Sequence, residues 1–220
     1  MKTMIKNQWY TVLSSREVKT GRLTAAKRLN LELCFFRNKD GIVSCVEDRC
    51  SHRKAQLSKG KCTEDGLVKC PFHGIEFNSS GECEFIPAYG ISNQEDLSRF
   101  NVQEYIVREK HGIIYFWYGN ETPNKNIPFF DDEIDESYAC SEFKDPWSTH
   151  YSRAIENQLD VVHLPFIHHN TIGKGNKTLV NGPKVIVDAE NNLLITSADN
   201  EKGHGQTPKD PKNSKLNPPT

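Results

Sequence analysis

Cys50–His73 reads CSHRKAQLSKGKCTEDGLVKCPFH, and the fold is decided by how this stretch is read. It holds two boxes, Cys50-Ser51-His52 and Cys70-Pro71-Phe72-His73. Each supplies one thiol and one imidazole, donors that suit a transition metal once the thiol is deprotonated. Two Cys and two His are also a zinc set. Zinc sites more often open with a Cys pair and close with a His pair, like beside like. Here each box mixes the two donors, which suits a centre with two unlike metal ions. Two short loops must then converge, with the thiolates on one ion and the imidazoles on the other.

That division of ligands is how a Rieske-type [2Fe–2S] cluster is held, with two His replacing two Cys on one iron. The cluster ligands expected are Cys50, His52, Cys70 and His73. A zinc site remains the alternative at this point.

Working outward, residues 8–118 read as short strands and turns, a small antiparallel β domain with both boxes in loops. Leu29–Phe36 and Ile42–Val46 read as strands around a turn at Asn38-Lys39-Asp40-Gly41, whose Asp-Gly pair favours a hairpin. Leu67-Val68 leads into the second box and Ile75–Phe77 leads out, with a turn at Ser79-Ser80-Gly81. Tyr105–Val107 and Ile113–Tyr118 flank a turn at Lys110-His111-Gly112. Residues 119–136 are rich in Asn, Pro and acidic side chains and read as a linker. Beyond it, Tyr138–Phe143 is strand-like and Ser152–Leu164 is helical. Lys184–Val187 and Leu193–Ser197 form two further strands about a turn at Asn191-Asn192. The polar, Pro-rich end from Gly203 cannot bury a face and reads as a loop or disordered tail.

The helix carries a second candidate site. Ile155, Leu159, Val162 and Phe166 recur at helical spacing, the apolar stripe of a buried helix. Glu156, Asp160 and His163 repeat that spacing one residue on and form a polar stripe beside it. Pro165 should kink or end the helix, since it lacks a backbone donor and disfavours helical geometry at Leu164. A break there would swing His168 back toward His163. Two His, a carboxylate and open positions describe a non-haem ferrous centre. Two ordinary histidines near a helix end would look the same.

Composition bounds the rest. With 220 residues, 36% hydrophobic and 26% charged, the chain is long enough for one large domain or two small ones. A net charge of −1 gives no electrostatic reason for nucleic acid as a partner. The longest apolar run, Ile113–Tyr118, is too short to span a bilayer, and the N-terminus lacks the apolar core of a signal peptide. Of seven cysteines, the five outside the boxes are odd in number and show no disulfide framework. They read as reduced thiols in a cytoplasmic protein, with Cys34 and Cys45 as small core residues. His169 is the alternative to His168 if the register slips; His111, His150 and His204 read as surface residues. Arg53 and Lys54 could steer an acidic electron donor. Tyr115 and Trp117 read as core or interface. No phosphate-binding Gly loop is visible, so nicotinamide and flavin are expected on a partner.

Together the two stretches resemble the Rieske non-haem iron oxygenases, the terminal (α) subunits of aromatic ring-hydroxylating dioxygenases and related demethylases. C-x-H-x17-C-x2-H matches at Cys50, His52, Cys70 and His73; D-x2-H-x4-H matches at Asp160, His163 and His168. The context ENQLDVVHLPFIHH, with Asn157 three before the Asp, looks like the vanillate demethylase and pheophorbide oxygenase branch. The resemblance implies an α+β chain: an all-β Rieske domain in residues 1–118, then residues 137–220 as the incomplete first part of an α/β helix-grip catalytic domain. It implies a [2Fe–2S] cluster and mononuclear Fe(II) held by His163 and His168. It also implies Asp160 as a bridging carboxylate, with Glu156 and Asn157 beside it. A ferredoxin or flavin reductase would supply electrons, O2 and a small organic substrate would react, and a head-to-tail homotrimer would join one chain's cluster to the next chain's iron. Ala55 and Phe72 stand where respiratory Rieske proteins have an extra disulfide, and Ile75 where they have a Ser bonded to the cluster, which implies a potential toward the lower end of the Rieske range. The family's third iron ligand is a carboxylate on a downstream helix. Asp188, Glu190, Asp199, Glu201 and Asp210 follow His168, and none lies in a helical pattern. The other reading is a Rieske-type electron-transfer protein with a truncated, inactive catalytic segment.

Overall fold

The computed structural model describes residues 4–90, 95–123, 126–127, 129, 141–175, 177–188 and 193–201. The chain divides into two compact units, Met1–Ile127 and Pro128–Thr220.

The first unit is built of β1 (Gln8–Ser14), β2 (Thr24–Arg28), β3 (Leu31–Arg37), β4 (Val43–Glu47), β5 (Lys61–Cys62), β6 (Val68–Lys69), β7 (Glu76–Phe77), β8 (Cys83–Phe85), β9 (Glu104–Tyr105), β10 (Val107–Lys110) and β11 (Ile113–Tyr118). They form three antiparallel sheets, ordered β1-β11-β10, β2-β3-β4-β9 and β5-β6-β7-β8. The third sheet carries the second box between β6 and β7; the first box lies between β4 and β5.

Strand β3 explains why the unit has two cores. Its side chains alternate between faces. Leu33 and Phe35 enter a core shared with Val12, Val18, Ile114 and Phe116. Cys34 and Phe36 enter a second core with Leu57, Val68, Ile75, Phe77 and both box cysteines. A strand buried on both faces reads as a continuous apolar run, which LELCFFR is. Cys34 and Cys45 are buried core residues, and Tyr115 and Trp117 are buried on β11.

The structure corrects several strand boundaries. Residues 29 and 30 do not open a strand: Leu29 (φ 51°) and Asn30 (φ 66°) form the turn between β2 and β3. Leu29 tolerates this left-handed geometry while packing against the core. Tyr105–Val107 is not one strand. Tyr105 pairs with β4 and Val107 with β11, so the chain passes from one sheet to another at Ile106. The Asn38–Gly41 turn forms as read, with the Gly41 amide donating to Asn38 O at 2.9 Å.

The second unit holds α1 (Tyr151–Leu159), α2 (Leu164–Ile167), β12 (Leu179–Asp188) and β13 (Leu193–Glu201), the last two an antiparallel pair. Ser152–Leu164 is therefore not one helix. The break falls at Asp160–His163, upstream of Pro165, and Pro165 sits in the first turn of α2. That is where proline's fixed φ and missing donor cost least. The expected buried stripe is also corrected: Ile155, Leu159, Val162 and Phe166 are 52–58% exposed. Residues 141–143 carry no strand, and Tyr138–Cys140, the Asn191-Asn192 turn and the tail from Gly203 lie outside the described residues. No helix among the described residues is long and apolar enough to cross a membrane.

Candidate metal centres

The two box loops have the same backbone. Cys50 N donates to Ala55 O (2.8 Å) and Lys54 N to Cys50 O (2.9 Å); Cys70 N donates to Ile75 O (2.8 Å) and Gly74 N to Cys70 O (3.1 Å). In each loop the residue four after the cysteine is left-handed, Lys54 at φ 58° and Gly74 at φ 71°. The equivalence was hidden in sequence, because one box spaces its His by one residue and the other by two.

Convergence depends on Gly60. A Cβ there would lie 1.9 Å from Lys69 O, so only glycine lets the exit of the first loop press against the strand entering the second. The result sorts the donors by type. Cys50 and Cys70 lie at the bottom, 1% and 2% exposed. Burial pushes the Cys50 thiol up, and the adjacent Cys70 adds to that. A metal cation reverses this cost, since coordination holds thiolates deprotonated. At the rim, exposed His52 and His73 face each other with Nδ1 atoms 3.2 Å apart. Two tetrahedral nitrogens at a metal–N distance of about 2.1 Å are separated by roughly 3.4 Å. Phe72 is exposed and lies against His73, ring centroids 4.0 Å apart. Among the described residues no three His, Cys, Asp or Glu group around one ion. The donor set is two pairs, a thiol pair beneath an imidazole pair, and this fits a two-iron cluster.

Outside the boxes, Cys34, Cys45, Cys62 and Cys83 are free thiols; Cys140 lies outside the described residues. Burial raises the Cys83 thiol to about 11, and the neighbouring Cys50 adds to the shift. Sequence reasoning did not single out Cys83 as a neighbour of the boxes; its place on β8 of the small sheet puts it there.

In the second unit, Asp160 caps the C-terminus of α1 and accepts the Val162 amide at 2.8 Å. That bond, and then His163, hold its carboxyl below the usual range. His163 Nδ1 lies 3.1 Å from Asp160 Oδ2. The pair is close but not aligned as a hydrogen bond, and this buried nitrogen has no hydrogen-bond partner. The rings of His163 and His168 lie 5.4 Å apart. His163 precedes α2 and His168 ends it, so the short helix brings them together without the break expected at Pro165. With the ring centre roughly 3.2 Å from a bound metal, a separation of this size lets both rings reach one ion. His169 turns away, its Nδ1 3.0 Å from Phe166 O.

Glu156 bonds Arg153 at 2.5 Å, and Asn157 is exposed on α1. The end of α1 interrupts the polar stripe that joined Glu156 to Asp160. His150 caps the start of α1 through Ser152 N. Asp188 ends β12, Asp199 and Glu201 lie on β13, and Glu190, His204 and Asp210 lie outside the described residues.

Comparison with known proteins matches residues 8–105 to the Rieske [2Fe-2S] domain and residues 147–205 to the vanillate O-demethylase oxygenase C-terminal domain. The iron-sulfur subunit TsaM1 of the toluene-4-sulfonate monooxygenase system of Comamonas testosteroni is 29% identical over 173 residues, covering 77% of this chain and 48% of that protein. Chlorophyllide a oxygenase of Chlamydomonas reinhardtii is 31% identical over 171 residues, covering 78% and 26%. Among solved structures, dicamba monooxygenase bound to dicamba superposes with TM-score 0.71 at 27% identity, covering 84% of this chain and 55% of that one. NdmA of Pseudomonas putida CBB5 superposes with TM-score 0.72 at 25% identity, covering 81% and 55%. The chain thus spans about half the length, or less, of these relatives.

Proposed function

We propose, from the premise that this chain belongs to the Rieske non-haem iron oxygenases, that it is the terminal component that receives electrons and uses O2 to hydroxylate or demethylate a small organic, aromatic substrate. Residues 1–118 are the cluster domain, 119–136 a linker and 137–220 the first part of the catalytic domain. When bound, the cluster supplies one-electron transfer and the ferrous ion supplies O2 activation.

The observation that carries this reading is the pairing of His52 with His73 above buried Cys50 and Cys70. The thiols would hold the inner iron, shielded from water. The imidazoles would hold the outer iron and leave exposed ring edges for electron entry and exit. His163 and His168 would hold the mononuclear iron. Asp160 Oδ2 approaches His163 Nδ1 to 3.1 Å, and once aligned on it this carboxylate would orient the ring and raise its basicity as a ligand. A ferredoxin or flavin reductase is the electron donor, and Asp160 meets the cluster histidines of a neighbouring copy in a homotrimer.

Metal analysis of anaerobically purified protein tests this. The expected result is two irons with two labile sulfides, a visible Rieske absorption, a third iron, and substrate-dependent O2 uptake with a reductase. A colourless zinc protein overturns the cluster. Cluster iron alone, with no O2 uptake, overturns the oxygenase and leaves an electron-transfer protein.

A further inference from the structure

The loop bearing Cys50 and His52 leaves β4 at Asp48 and regains regular structure in the 3-10 turn Leu57–Lys59. Asp48 is 2% exposed. Its Oδ1 accepts the Ser58 amide and its Oδ2 the Ser58 hydroxyl, both at 2.6 Å, and its own amide donates to Glu32 O at 3.0 Å. The carboxylate therefore ties the two ends of the loop together beneath the box. Ser58 thus engages both oxygens of the carboxyl group, one through its amide and one through its hydroxyl.

The second loop is closed differently. Lys69 and Glu76 form a cross-strand pair at 2.9 Å, partly exposed and neutral overall. No Lys or Arg of the described residues pairs with Asp48. Two loops of equal backbone thus rest on unequal bases, one a solvated ion pair and the other a buried negative charge two residues from a cysteine ligand. Water screens the first and not the second.

We infer that Asp48 is a positioning residue, fixing the Cys50–His52 half of the centre through Ser58, and that its buried charge biases the bound cluster toward its oxidised form. This rests on the proposed cluster. Reduction adds one negative charge to the centre, and a fixed negative charge close by in a dry core opposes it. The same charge reaches the neighbouring thiols: Cys34 and Cys45 are pushed up chiefly by burial, with Asp48 contributing to both.

Two variants of the full chain separate the roles. Asp48→Asn keeps the shape and can still bond both Ser58 groups, but removes the charge. Ser58→Ala keeps the charge and removes one arm of the clamp. Each is reconstituted with ferrous iron and sulfide, its fold checked by far-ultraviolet dichroism, its midpoint potential titrated, and its cluster loss followed by visible dichroism. Asp48→Asn should retain the cluster and shift the midpoint upward. Ser58→Ala should lose the cluster roughly tenfold faster. An unchanged or lowered midpoint in folded Asp48→Asn overturns the charge role, and wild-type cluster retention in Ser58→Ala overturns the positioning role. A wild-type chain that takes up no cluster overturns the proposed function itself, and this inference with it.

Discussion

His52 and His73, 21 residues apart in the chain, face each other with Nδ1 atoms 3.2 Å apart at the rim of unit 1. The buried sulfurs of Cys50 and Cys70 lie beneath them. Mixed boxes in the sequence become unmixed pairs in space, because two loops of the same backbone meet at their tips.

Replacing either imidazole should empty the outer half of the centre. His52→Ala and His73→Ala should each lose nearly all cluster iron and the visible Rieske bands while keeping the far-ultraviolet dichroism of the wild type. Both rings are exposed and carry no core packing. Retention of the bands by either variant would remove that histidine from the ligand set.

Gly60→Ala should be destabilising. The added methyl meets Lys69 O at 1.9 Å, a backbone atom that cannot swing aside. A cost of about 1–3 kcal/mol follows from overpacking alone. Urea unfolding of the variant should show an earlier midpoint, with weaker cluster retention because the two loops are forced apart.

Lys54→Gly should act in the opposite direction. Lys54 stands at φ 58° where the equivalent position of the other loop holds Gly74. Left-handed geometry costs a residue with a Cβ about 1–2 kcal/mol, so part of this is recovered, less the greater freedom of glycine in the unfolded chain. Calorimetry should record a rise of a few degrees in Tm. A fall would show that Lys54 makes contacts worth more than its strain.

Stability should fall on acidification through the Arg37–Glu109 pair. Bonding to Arg37, and further to Ser15, lowers the Glu109 carboxyl below its ordinary value, against a smaller opposing effect of burial. Because the folded value is the lower one, its contribution is fully present above the usual glutamate range. It is lost as the pH drops through the folded value. Glu109→Gln should flatten this acid limb of a plot of unfolding free energy against pH and lower stability at neutral pH. An unaltered limb would show that other carboxylates control it.

Asp160→Asn should leave both metals bound and slow oxidation of the reduced cluster by substrate and O2 roughly tenfold or more. The motive is the approach of Asp160 Oδ2 to His163 Nδ1, 3.1 Å. Stopped-flow single turnover measures it, and an unchanged rate would sink the bridging role.

Much was legible along the chain. The boxes announce themselves because metal chemistry restricts which side chains can serve, and a continuous apolar run such as LELCFFR marks a strand buried on both faces. Asp160, His163 and His168 stand out as candidates for the same reason. Other features depend on atoms distant in sequence. The double core around β3, the shared backbone of the two loops, the need for glycine at position 60 and the clamp from Asp48 to Ser58 all arise from close approach between separate segments. Pro165 shows the limit well: its chemistry states that a helix cannot continue through it, but both an ending and a beginning satisfy that rule. The fold placed the break at Asp160 and made Pro165 a start. The sequence by itself determined the candidate donors and the apolar cores of the longer strands, but not the strand ends, because side-chain chemistry and period are local. Tertiary structure alone decided which donors pair and what holds them, because pairing is a matter of distance.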